Sequence, residues 1–185
     1  MRDSRSPLPR LRSVGSVTAA DGLPSATGSL RDARLSAEDQ AALLSAQSQC
    51  VLSFHDLAGW PRAVVLSYIY VRERFWLTAV SGRPHIEGLR ADPRVTVVVS
   101  NLGTAISGRQ MLAQRGTATL HTDRPTLDWF FPRFAQRHEP QTPEAFARHL
   151  DTPNRVVIEV APVGRPTSHD SRRLSGDGRG GPGGS

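Results

Sequence analysis

Phe75-Trp76-Leu77-Thr78-Ala79-Val80-Ser81-Gly82-Arg83-Pro84-His85, followed by Leu89-Arg90-Ala91-Asp92-Pro93-Arg94-Val95-Thr96-Val97-Val98-Val99, decides the fold. It reads as a strand, a polar basic loop, one short helix and a buried strand. Thr78, Ser81, Arg83 and His85 all fall at the exit of the first strand. Hydroxyls and a guanidinium fork are donors suited to a phosphate or similar oxyanion. Turn amides and a helix start would add partial positive charge. On their own, the same residues also fit an ordinary polar connection between strand and helix.

Outward from this stretch, closely spaced strands predict an antiparallel meander. Residues 50–55 are short and apolar. Asp56-Leu57-Ala58-Gly59-Trp60-Pro61 breaks the chain into a hairpin, and residues 62–71 are β-branched and aromatic. Arg72-Glu73-Arg74 forms a tight turn into residues 75–79. Pro84 suits the first turn of a helix through Ala91, and Asp92-Pro93 ends it. Val95 to Ser100 is a fourth strand. Residues 109–121 form a fifth, bent near Gly116, and residues 154–162 a sixth. Helices are expected over 37–48 (capped by Ser36 with Asp39), after Thr122 or Asp123, and from Thr142-Pro143-Glu144 to Leu150. Six strands so close together exclude a parallel sheet. The expected fold is mainly β (α+β): a six-stranded antiparallel barrel with peripheral helices, since closure removes exposed edges.

Composition narrows the function. All 23 basic residues are Arg, which excludes lysine Schiff-base chemistry and a P-loop lysine. Residues 1–34 hold six Arg and three Asp, and residues 166–185 three Arg and two Asp. The remaining 14 Arg against 12 acids leave the foldable part with little basic excess, so no nucleic-acid partner is expected. No run of about 18 apolar residues predicts a membrane span. The lone Cys50, in an apolar run, fits a buried thiol in a reducing cytoplasm. Residues 1–34 (rich in Ser, Pro, Gly and Arg) and the Gly-rich residues 171–185 are expected to be disordered tails around one domain, 35–170.

The ordered part resembles the flavin-binding split-barrel family that includes pyridoxamine 5′-phosphate oxidase. The residues that carry the resemblance are Gly59-Trp60-Pro61-Arg62, Leu77-Thr78, Arg83-Pro84-His85, Leu89 through Val95, and Arg115-Gly116-Thr117-Ala118, in this order and spacing. It implies an oxidoreductase acting on a small molecule. It also implies a homodimer that binds flavin mononucleotide (FMN), or the deazaflavin F420, between subunits. The implied phosphate site is Arg62, Thr78, Ser81, Arg83 and His85. Val64, Val65 and Leu66 would wall the ring, and Gln110, or donors in the loop before it, would reach it from the partner subunit. For F420, Arg90, Arg94 or Arg109 would meet the longer anionic tail. A non-catalytic flavin- or haem-binding protein is the rival from another class.

The chain also departs from the family. His85 stands where a Lys is common, eight residues before the Asp-Pro proline. Ser67 replaces a Lys of the B6 oxidases, and their C-terminal Arg-x-His is missing. Trp129 and Arg133 alone resemble the substrate-phosphate pair, and they equally fit a helix core residue beside an exposed Arg. These departures argue against pyridoxine 5′-phosphate as substrate. Gly176 to Gly181 matches G-x-G-x-x-G but has no helix after it. Ser168-His169-Asp170 has triad residue types, yet consecutive residues of an extended chain point apart.

Overall fold

A computed structural model describes residues 33–173. Most of both expected tails, and the Gly176–Gly181 motif, lie outside the described residues. The first helix, α1 (Ala37–Ala46), is capped as expected: the Ser36 hydroxyl accepts from the Asp39 amide, and the Asp39 carboxylate accepts from the Ser36 amide. Strands β1 (Gln49–His55), β2 (Pro61–Val71) and β3 (Arg74–Val80) form the meander. Arg72 and Glu73 both take positive φ (56° and 58°), so the β2–β3 hairpin closes on two residues in the left-handed region, the twist that suits antiparallel neighbours. Then follow α2 (Pro84–Ala91), β4 (Arg94–Ser100), β5 (Gln110–His121), α3 (Arg124–His138), α4 (Pro143–Leu150) and β6 (Arg155–Pro162).

The strands run in the order β4-β1-β2-β3-β6-β5, and β4 pairs again with β5, closing a six-stranded antiparallel barrel. Gly116 stands where β5 passes between two partners, opposite Val95 of β4 and Pro162 of β6. A Cβ there would lie 2.4 Å from Val160 Cγ1 and 2.9 Å from the Ala161 carbonyl oxygen, so the close passage of β6 requires glycine.

The barrel interior holds Leu52, Leu77, Val97, Leu112 and Ile158, all almost fully buried. A second apolar cluster lies outside the wall, where Phe130, Phe131 and Phe134 of α3 cover Ile69, Trp76 and Val157. That second layer explains why β3 and β6 are buried on both faces rather than alternately. Each fully buried large side chain contributes roughly 1.5–3 kcal/mol.

The described fold continues through the C-terminal segment around Asp170. A seventh strand, β7 (Thr167–Asp170), pairs with Gln110–Ala113 of β5, and a 3₁₀ turn continues through Arg173. Ser171 is fully buried, and Asp170, also fully buried, accepts from Arg172 at 2.6 and 2.9 Å. The Asp170 amide donates to the carbonyl of Ala33, which is itself buried, so β7 also ties down the residues that lead into α1. Short polar segments of this kind carry no hydrophobic period.

Candidate functional site

Strand β3 ends at Val80, and Gly82 turns the chain with φ +83°. Arg83 is the N-cap of α2, with Pro84 in its first turn. Gly88, one turn on, lets α2 sit tightly on the end of β1: a Cβ would lie 2.4 Å from the His55 carbonyl oxygen. This sets the start of the helix across from β2 and β3. Between them lies a cleft of about 410 Å³.

The cleft brings together Arg62, Val64, Thr78, Arg83 and His85, with Leu66 beside them. Arg62, the exposed second residue of β2, has one guanidinium nitrogen 3.7 Å from Asp56. His85 is 7% exposed, and its Nε2 has no hydrogen-bond partner. Its ring meets Phe54 edge-on at 6.1 Å. Burial, and then the neighbouring Arg83 charge, hold its pKa below the usual histidine value, so the ring is neutral near pH 7. Val64 and Leu66 supply an apolar wall.

Two expected residues of the cleft, Val65 and Ser81, do not line it, and Gln110, expected to act from a partner subunit, lies away from it. Val65 alternates to the opposite face of β2, where it is 60% exposed. Ser81 does not line the cleft; its backbone N–H donates to the Asn154 carbonyl. Gln110, 2% exposed, pairs with β7, and its amide donates to Asn101 Oδ1. Thr78 borders the cleft, but its hydroxyl donates to the Val156 carbonyl at 2.9 Å. It can accept a hydrogen bond there, and it gives an anion no proton while that bond lasts.

Sequence reasoning missed Arg155. It is the first residue of β6, half-buried, and lies opposite Val80 in the β3–β6 ladder. Its Nε donates to the Leu150 carbonyl at 2.9 Å, and burial lowers its pKa from the usual guanidinium value. Only the strand order places it in the cleft; along the chain it is 70 residues from His85. The arginines expected to serve a longer tail are not there. Arg90 is paired with Glu87 and Arg94 with Asp92, and neither these nor Arg109 lines the cleft. Three guanidinium groups thus border the cleft with no carboxylate in its lining.

The other sequence features are structural. Arg133 covers the Trp129 ring at 5.0 Å and donates to the Trp129 carbonyl, away from the cleft. On β7, Ser168 accepts from the Leu35 amide and Asp170 is taken by Arg172, so no triad forms. Cys50 is buried, and burial pushes its thiol up to about 12. Among the described residues no helix is long and apolar enough to cross a membrane.

A barrel closed in this order, with a basic loop and helix start beside its third strand, defines the split-barrel class. The family described as pyridoxamine 5′-phosphate oxidase matches residues 36–165, and the chain belongs to it. Solved structures with the same fold include Rv2991 of Mycobacterium tuberculosis (TM-score 0.67, 18% identity, 77% of this chain and 89% of that one). An FAD-binding protein of Mesorhizobium loti (0.53, 21%, 72% and 94%) and an F420 reductase (0.52, 21%, 66% and 92%) are also similar. No curated protein matches the sequence.

Proposed function

We propose that the cleft holds the anionic end of a flavin-type cofactor, FMN in the simplest case, and that the protein is a cytoplasmic flavin-dependent oxidoreductase acting on a small organic molecule. The observation that carries this is the convergence of Arg62, Arg83 and Arg155 on a lining free of carboxylates, beside the unpartnered Nε2 of buried His85. A buried polar atom without a partner costs stability, and an oxyanion accepting from it removes that cost. Similar folds that bind FAD, or that are named for F420, give further support.

When bound, such a cofactor supplies hydride or electron transfer. The chain's own residues bind and orient. Arg62 and Arg83 neutralise a phosphate, His85 donates from Nε2, and Val64 and Leu66 exclude water from one side of the ring.

A homodimer is part of the proposal. On the outer barrel wall Val65, Val51, Val98 and Ala113 lie side by side in register across β2, β1, β4 and β5. A row of exposed or half-exposed apolar side chains there suits burial against a second copy. The purified protein tests the whole: flavin absorbance and a matching mass for the extracted small molecule support it. Sedimentation as a monomer would remove the dimer, and a Soret band would replace flavin by haem.

A further inference from the structure

The outer barrel wall changes character beside its apolar row. Two residues along each strand from Val51, Val98 and Ala113, the side chains in register are Ser53, Thr96 and Arg115. One step further, Arg94 pairs with Thr117 and His55 with Pro61. These positions alternate to one face of the wall. Together with Val163 they line a depression of about 560 Å³, larger than the cleft and within the usual size of a small-molecule site. Phe54 borders both, but the depression is floored by β1, β4 and β5, whereas the cleft lies between β2, β3 and α2.

Its cations are not equivalent. Arg94 is paired with Asp92 at 2.7 Å, and His55 Nδ1 lies 3.3 Å from the same carboxylate. Asp92 is not in the lining, and neither is any other carboxylate. Arg115 differs: its carbonyl accepts from the Val163 amide and from Gln114 Nε2, while its guanidinium makes no hydrogen bond or ion pair among the described residues. A free guanidinium is a planar fork of donors that matches a carboxylate. Thr96 stands directly opposite Arg115, and Ser53 opposite Thr96, so two hydroxyls lie in line with the fork. One unmatched positive charge balances a carboxylate, whereas a phosphate monoester, at about −1.5 to −2, exceeds it. Pro61 and the half-exposed Val163 give the rest of a ligand an apolar rim.

We propose that this depression is a second binding site, separate from the cofactor cleft, and that it takes a small organic monocarboxylate with an apolar body. Arg115 grips the carboxylate, the Thr96 and Ser53 hydroxyls add donors, and the body packs against Pro61 and Val163. The site does not depend on the cofactor assignment.

Titration of the full chain with benzoate and with hexanoate, followed by NMR of the backbone amides, tests it. At least one acid should saturate a single site with a Kd below about 10 mM. The matching amide, benzamide or hexanamide, should bind at least tenfold more weakly. Arg115→Gln should weaken the acid at least tenfold, and Arg115→Lys, which keeps the charge and loses the fork, by less. The side chain is exposed, so both variants should fold, which a thermal melt checks. No saturation by either acid, equal affinity for acid and amide, or tighter binding of inorganic phosphate at Arg115 would overturn the site. Loss of acid binding in Arg62→Ala/Arg83→Ala but not in Arg115→Gln would place the acid in the cleft and overturn it as well. Altered sedimentation of Arg115→Gln with unchanged acid affinity would make Arg115 a contact between copies instead.

Discussion

Val80 lies directly opposite Arg155 on the β3–β6 ladder, so the loop that leaves β3 starts beside the guanidinium that opens β6. This single pairing joins the two ends of the basic rim. Arg83 arrives from the loop, Arg155 from across the ladder, and Arg62 from β2 on the other side of β3.

Replacing Arg62 and Arg83 together by Ala should weaken FMN binding roughly a hundredfold or more, since each charge-assisted hydrogen bond contributes roughly 1.5–3 kcal/mol. The fold should persist, because both side chains are exposed and neither is in an apolar cluster. Fluorescence titration measures the affinity, and a thermal melt checks the fold.

Cofactor affinity should depend on pH through His85. In the free protein its pKa is depressed by burial and by Arg83. A bound phosphate raises that pKa, so binding takes up a proton and tightens as pH falls from about 7 toward 5. Without ligand the sign is opposite for stability. The neutral ring's contribution is fully present above the unfolded value of about 6.5 and declines as pH falls below it. His85→Gln should flatten both dependences, measured by titration and by urea melts across that range.

Gly88→Ala should cost about 1–3 kcal/mol of stability, because a Cβ 2.4 Å from the His55 carbonyl oxygen forces backbone to move. The shift tilts α2, so FMN affinity should fall with it. Urea denaturation gives the first quantity, and titration of the folded fraction the second.

Much of this architecture is readable in the chain because β-branched runs and Gly/Pro breaks agree with each other from Cys50 to Pro162. Pro84 and Asp92-Pro93 mark the ends of α2, and Leu127, Phe130, Phe131 and Phe134 mark the buried side of α3, as found. Arg62, Val64, Thr78, Arg83 and His85 do meet in one cleft, because they leave adjacent strands at the same end. Arg155 was illegible: nothing local distinguishes it from other strand-end arginines until β6 is laid against β3. Val65 faces away from the cleft, since three consecutive apolar residues do not reveal which ones face inward. β7 was missed because Thr-Ser-His-Asp has neither alternation nor apolar content, and long-range pairing with β5 alone makes it a strand.

That C-terminal strap should contribute to stability. Asp170 is fully buried and bonded to Arg172. Asp170→Asn removes the charge and leaves Arg172 less well paired, and should cost about 1–3 kcal/mol in urea melts. Ending the chain after Pro166 should cost at least as much.

The most direct measurement is the affinity of the purified protein for FMN against riboflavin, which has the same ring and no phosphate. A phosphate-gripping cleft requires FMN to bind at least a hundredfold more tightly, with the gap closing in the Arg62→Ala/Arg83→Ala variant. Equal affinity for the two compounds would contradict the central claim.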